Sequence, residues 1–190
     1  MGLKKILVIA VHPAMNLSHI TRRVWDQLVL LPGIECYDLY ELYPDFYINV
    51  AAEQEKLRSA DLLVFLHPIY WYGAPSLLKE WQMRVLTRGF AYGKDATALV
   101  NMDLWQVVSA GGGFEKYDNG GSLGYSIVDL LQPYEAMARK CKMKWHPPKA
   151  LYSARRVSED VIDEHARDVL RRLLDYQSDG SSALDVVAED

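Results

Sequence analysis

Asp61-Leu62-Leu63-Val64-Phe65-Leu66-His67-Pro68-Ile69-Tyr70-Trp71-Tyr72-Gly73-Ala74-Pro75 changes character halfway along, and that change decides the fold. Leu62 to Leu66 are uninterrupted apolar residues, the pattern of a central parallel strand covered on both faces. Pro68 cannot donate to a ladder and drives His67 toward an extended backbone, so pairing is expected to stop there. Beyond it Tyr70, Trp71 and Tyr72 leave the sheet between two prolines, and Gly73 permits a turn before the next helix. In an open α/β sheet, ligands bind in the crevice past the carboxyl ends of the strands, and flat amphipathic rings there suit a flat, partly apolar ligand. The alternative, that the rings only roof the core, stays open on this stretch alone.

The same pattern recurs upstream. Lys5 to Val11 reads as a first buried strand delivering His12-Pro13, followed by polar Ala14 to His19 and a helix from about Ile20 to Leu31, stopped by Pro32-Gly33. Ser18 is the expected cap. Unpaired N–H groups and the helix dipole make Ser18, His19 and Ile20 a candidate phosphate cradle, with His12 and Asn16 beside it. There is no G-x-G-x-x-G or Walker sequence, which argues against a Rossmann dinucleotide site or a nucleoside triphosphatase.

Downstream, Ile34 to Leu39 reads as a second strand. Tyr40 to Tyr47 is too aromatic for a solvated loop and is expected to be covered, by its own fold or by a partner subunit. Helices are expected over Val50 to Ser59 and Pro75 to Thr87, with Arg88 to Gly93 a turn between the latter and a strand from Leu104 to Ser109. That strand ends in Ala110-Gly111-Gly112-Gly113, whose glycines permit a close approach by a ligand. A helix from about Tyr125 to Cys141 contains Pro133, and Met143 to Tyr152, interrupted by Pro147-Pro148, supplies the last strand. Ser158 is expected to cap a final helix to about Gln177, leaving Ser178 to Asp190 as an acidic, disordered tail.

Five strands alternating with helices predict an α/β doubly wound parallel sheet of order 2-1-3-4-5, helices on both faces, in a single domain over residues 1–177. In that order three strand ends meet: His12 to His19, His67 to Gly73, and Ser109 to Gly113. The composition, 50% hydrophobic and 24% charged, is that of a soluble globular protein, and a net charge of −4 argues against a nucleic-acid partner. Cys36 and Cys141 form no C-x-x-C, and the five histidines show no metal-ligand spacing, so neither a disulfide framework nor a metal site is indicated. G-x-S-x-G is absent, which disfavours a nucleophile-elbow hydrolase. No run approaches a membrane span, so a cytoplasmic protein is expected, at most peripheral to a membrane through a partner. His67 reads as a hydrogen-bonded structural residue rather than an acid or base.

The strand-H-P…S-H opening, H-P-I-Y-W-Y-G-A-P-S-L-L-K-E-W, R-G-F-A-Y-G and S-A-G-G-G…Y together resemble the flavodoxin-like NAD(P)H:quinone oxidoreductases, over Ile6 to about Tyr152. Leu42 to Phe46, Ala51 to Gln54 and A-R-R-V-S near Ala154 further resemble the small ancillary subunits of glutathione-gated potassium efflux systems. The resemblance implies FMN, with FAD the alternative, NAD(P)H as donor and a quinone-type acceptor. It implies that His12 and the Ser18-His19-Ile20 backbone hold the flavin phosphate. Pro68, Ile69, Tyr70, Trp71, Tyr72 and Gly73 would lie along the isoalloxazine, and Ser109, Ala110, Gly111 and Gly112 would border its pyrimidine edge. Tyr117 matches a family tyrosine that assists hydride transfer, while the family's histidine a few residues on has no counterpart, Leu123 standing about there. Gly111 and Gly112 would offer N–H donors to charge developing on the ring. A homodimer is implied too, with Tyr43, Phe46 and Tyr92 as exposed rings, and so is docking on the cytoplasmic domain of a potassium efflux channel, a regulatory role distinct from turnover.

Overall fold

The computed structural model describes residues 2–118 and 120–185. The apolar runs become β1 (Ile6–Ala10), β2 (Ile34–Asp38), β3 (Leu62–Pro68) and β4 (Asp103–Ser109). They pair in parallel in the order β2-β1-β3-β4, which is the expected doubly wound arrangement. Every residue of β1, β3 and β4 is buried, because these strands are covered on both faces. The chain differs from expectation at the last strand. Pro147-Pro148 divides it into β5 (Lys144–Trp145) and β6 (Lys149–Leu151), both paired with β4, so the sheet has six strands rather than five. Trp105 Nε1–H donates to Pro147 O at 3.0 Å, satisfying a carbonyl that the break takes out of the ladder.

Alternate residues of β1 point to opposite layers. Ile6, Val8 and Ala10 pack with α1 (Ile20–Leu28) and the last helix, while Leu7 and Ile9 pack with α3 (Val50–Ser59), α4 (Ser76–Val85) and α6 (Ile127–Lys140). A four-residue α2 (Leu39–Leu42) follows β2, capped by Asp38, whose carboxylate accepts from Tyr40 and Glu41 N–H. Another, α5 (Phe114–Tyr117), follows the glycines. Helix α6 keeps its course through Pro133 and begins with a capping box between Ser126 and Asp129. Helix α1 ends three residues short of Leu31, at Leu28.

The last helix, α7 (Glu159–Asp179), begins at Ser158, whose side chain makes no cap bond. It runs past Gln177, and Ser178 to Asp185 are not a disordered tail: Leu184 is buried and the Asp185 carboxylate meets His146 Nδ1 at 2.6 Å. His146 Nε2 in turn holds Asp103, which also accepts from Tyr176. An acidic segment finds one apolar socket and one imidazole, and composition alone cannot register such a contact. Residues 186–190 lie outside the described residues. Tyr43, expected exposed, is buried by its own fold, and Tyr92 is half-buried under Lys140; Phe46 and Tyr47 stay exposed.

Candidate functional site

The β1 end supplies the first wall. After Val11 N–H pairs with Leu66 O, the chain turns through a 3-10 segment at Met15–Leu17 and enters α1. Ser18 does not cap that helix. The N-cap position falls on His19 and no side chain accepts from the first turn, so its N–H groups stay available. They border a cavity of about 250 Å³ whose wall includes His12, Leu17, Ser18, His19, Ile20, Pro68, Ile69, Ser109, Gly111 and Arg155. Asn16 is exposed on the 3-10 turn and is not in the wall; its neighbour Leu17 is. His12 Nδ1 accepts from Ala14 N–H at 3.1 Å, which puts the proton of a neutral ring on Nε2, 3.0 Å from Tyr70 Oη. Burial keeps His12 below its usual pKa, so the ring is neutral at pH 7 and both nitrogens are engaged. With Nε2–H donating to it, the Tyr70 hydroxyl keeps its own hydrogen for a ligand.

The β3 end supplies the second wall. Tyr70 and Gly73 exchange two backbone hydrogen bonds, 2.8 and 3.1 Å, around Trp71 at φ 46° and Tyr72 at φ 65°. Two consecutive positive φ values are the mark of a type I′ turn, which ordinarily takes Asn-Gly. Large rings in that conformation cost on the order of 1–3 kcal/mol each, and such strain persists mainly where it serves a site. Here it lifts Trp71 off the fold, 94% exposed. Tyr70, Trp71 and Tyr72 form one side of a second cavity of about 600 Å³, with Gly111, Gly112, Tyr117, Lys116 and Arg155 on the others. The two cavities share Ile69, Tyr70, Gly111 and Arg155 and make one crevice. Gly73 lies on the other side of the turn, in the wall of a separate apolar cavity between α4 and α6.

The glycines after β4 supply the third wall, clamped by the chain that follows β6. Ser153 N–H donates to Gly112 O at 2.7 Å and Ala154 N–H to Ala110 O at 2.9 Å. Among the described residues, Gly111 and Gly112 N–H find no protein acceptor. A Cβ at Gly111 meets no atom within 4 Å, whereas one at Gly112 comes 2.8 Å from Lys116 Cδ and 3.1 Å from Tyr117 Cε2. Ala110 is fully buried behind the wall. Tyr117 lies against Tyr152, ring centroids 5.8 Å apart. Leu123 packs on the core. Lys116 and Arg155 escaped the reading of the sequence. Arg155 sits in A-R-R-V-S, noticed only as a resemblance, and its place opposite the β1 end depends on the clamp by Ser153 and Ala154.

His67 stands behind this crevice as a structural residue. Trp145 Nε1–H donates to Gln106 Oε1, Gln106 Nε2–H to His67 Nε2, and His67 Nδ1–H to Pro68 O at 2.9 Å. Burial lowers its pKa to about 4, against 6.5 when unfolded. A lowered histidine pKa leaves its stabilising contribution intact above pH 6.5 and removes it as pH falls toward 4. Urea unfolding of the wild type is expected to lose about 2 kcal/mol between pH 7 and pH 4.5 through this residue, and His67→Gln to flatten that slope. An unchanged slope in the variant would remove His67 from the acid response.

The likenesses of the chain agree with this geometry. A family model described as flavodoxin-like fold matches residues 4–173. The glutathione-regulated potassium-efflux system ancillary protein KefF of Enterobacter sp. (strain 638) is 41% identical over 172 residues, 90% of this chain and 97% of that protein. The general stress protein 14 of Treponema denticola, solved in complex with FMN, is 33% identical with TM-score 0.87, covering 91% of this chain and 99% of that one. An NADPH-quinone reductase structure from P. pentosaceus is 27% identical with TM-score 0.80, over 92% of this chain and 98% of the other. With its sheet order, its crevice at the switch between β1 and β3, and a match spanning nearly the whole chain, this protein belongs to the flavodoxin-like fold family.

Proposed function

We propose that the protein binds FMN and passes two electrons from NAD(P)H to quinones or related electrophiles, donor and acceptor using one crevice in turn. One observation carries the reading: the uncapped start of α1, the Tyr70–Gly73 turn and the Gly111–Gly112 donors converge at the carboxyl ends of β1, β3 and β4. The donor set fits this cofactor. A single helix start matches a single phosphate, which favours FMN over FAD. The isoalloxazine has one acceptor-rich edge, and free N–H groups at Gly111 and Gly112 match that edge. Relatives solved with FMN, or named as quinone reductases, support the same assignment.

When bound, FMN supplies the two-electron chemistry. The first turn of α1 would hold its phosphate, and the aromatic turn would lie along a ring face. Gly111 and Gly112 N–H, already held in place by the clamp at Ser153 and Ala154, would offer hydrogen bonds to the acceptor-rich edge of the ring. Tyr70 and Tyr117 both line the crevice, the Tyr70 hydroxyl held by His12. NAD(P)H leaves as NAD(P)⁺; the quinone takes two electrons and two protons, one proton arriving with the hydride and one from water.

Purified protein is expected to be yellow, or to become so with FMN, and to give parallel double-reciprocal lines with NAD(P)H and a soluble quinone. Colourless protein that fluorescence titration shows not to take up FMN would sink the assignment. Sedimentation of the same preparation checks the homodimer that Phe46, Tyr47 and Trp71, all exposed, suggest. A monomer at micromolar concentration would reject it. A second reading is favoured by the 41% identity to a potassium-efflux ancillary protein: a regulatory subunit docked on an efflux channel. Potassium efflux restored in cells by a Tyr117→Phe variant that no longer turns over quinone would favour that role.

A further inference from the structure

We propose that the crevice selects electron acceptors that are aromatic and negatively charged. This rests on the redox reading above and names its substrate class. The chain as a whole is acidic, yet among the described residues no carboxylate lines either half of the crevice, while Lys116 and Arg155 do. Neither cation forms an ion pair among the described residues. Of the surface cations, many are spent on neighbouring acids along the helices, as Arg22, Arg84 and Arg139 are. Lys116 instead runs its stem along Gly112 and holds its ammonium 5.9 Å from the ring centroids of both Tyr72 and Tyr117. An aromatic molecule entering between those rings meets this charge at its rim. Arg155 borders the crevice as well, at the junction of its two halves.

A cation that has no carboxylate partner and lies beside ring surface attracts an anion more strongly than one already paired with an acid. Neutral quinones gain only from the rings. Anionic ones, such as a naphthoquinone sulfonate or an ionised hydroxynaphthoquinone, gain from rings and charge together. A positively charged acceptor is repelled.

The test uses a redox-inert pair of equal shape, naphthalene-2-sulfonate and naphthalene-2-sulfonamide, bound to the protein with FMN and without NAD(P)H. The sulfonate is expected to bind about tenfold tighter at low ionic strength, with the advantage shrinking toward parity near 1 M salt. Lys116→Gln and Arg155→Gln are each expected to remove about threefold of it. In turnover, 1,4-naphthoquinone-2-sulfonate is expected to show a lower KM than 2-methyl-1,4-naphthoquinone, and the variants to narrow that gap. Equal binding of the two probes overturns the proposal. So does a raised KM for NAD(P)H in both variants with the sulfonate preference intact, since the cations would then serve the donor alone. Protein that takes up no FMN rejects the redox reading itself, and the proposal with it.

Discussion

Replacing Trp71-Tyr72 by Asn-Gly is expected to raise the folding stability by about 2 kcal/mol while lowering kcat/KM for quinone reduction by about a hundredfold. The two effects have one origin. The turn holds two large side chains at φ 46° and 65°, where a Cβ crowds the backbone, and Asn-Gly adopts the same turn with little strain. The two hydrogen bonds between Tyr70 and Gly73 are retained, so the fold gains what the turn had been losing. The crevice loses its exposed indole, the Tyr72 ring and the cation–ring contact of Lys116 with Tyr72. A planar ligand then keeps only Ile69 and Tyr70 on the β3 side. Urea unfolding and steady-state kinetics read the two halves separately. A variant that is destabilised, or that keeps full turnover, would mean that the aromatic turn is packing material and not part of the site.

How far the site could be read from the chain follows from how locally each part is encoded. The ends of β1, β3 and β4 were legible because apolar runs meet His-Pro, His-Pro and Gly-Gly within a few residues, and a parallel sheet then brings those ends level: Ala10 faces Leu66, and Pro68 faces Ser109. Trp71 and Gly112 therefore do meet across one cavity. Pro147-Pro148 announced the divided last strand, although the consequence, two short strands on β4, depends on where Trp105 lies. Ser18 illustrates the opposite case. The residue type is right for a cap, yet the 3-10 segment before it shifts the helix start by one residue and leaves the first turn open. Lys116 and Arg155 were invisible for a further reason. A lysine after a glycine run and an arginine after a strand look like solvated charges until the backbone of Ser153 and Ala154 is bound to Ala110 and Gly112.

Glu53→Ala is expected to destabilise the protein by about 4 kcal/mol, the larger of its foreseeable losses in stability, although the residue lies outside the crevice. Glu53 is completely buried on α3 and its carboxylate gathers donors from three elements. Tyr37 on β2 donates to Oε2, Tyr43 after α2 donates to Oε1 at 2.9 Å, and Trp81 on α4 donates its Nε1–H to Oε2 at 2.7 Å. Lys56 closes the set at 2.8 Å, one turn along the same helix, with its ammonium over the Tyr37 ring. Burial and the Glu53 charge push the Tyr37 phenol well up, so it remains a donor throughout the neutral range. Removing the carboxylate strands these donors and leaves Lys56 with nothing to oppose it in a half-buried setting. The aromatic segment Tyr40 to Tyr47, which the sequence suggested must be covered, is pinned at Tyr43 by this one acceptor. Glu53→Gln, which keeps the shape but faces an amide N–H₂ toward donors, is expected to recover less than half of the loss. Chemical denaturation of both variants decides the point: a cost below about 1 kcal/mol for Glu53→Ala would mean that water enters and satisfies the tyrosines and the indole. Because α4 follows the Tyr70–Gly73 turn and is tied to α3 through Trp81, partial unfolding there should also loosen the crevice. FMN affinity is therefore expected to fall in the alanine variant before global unfolding begins.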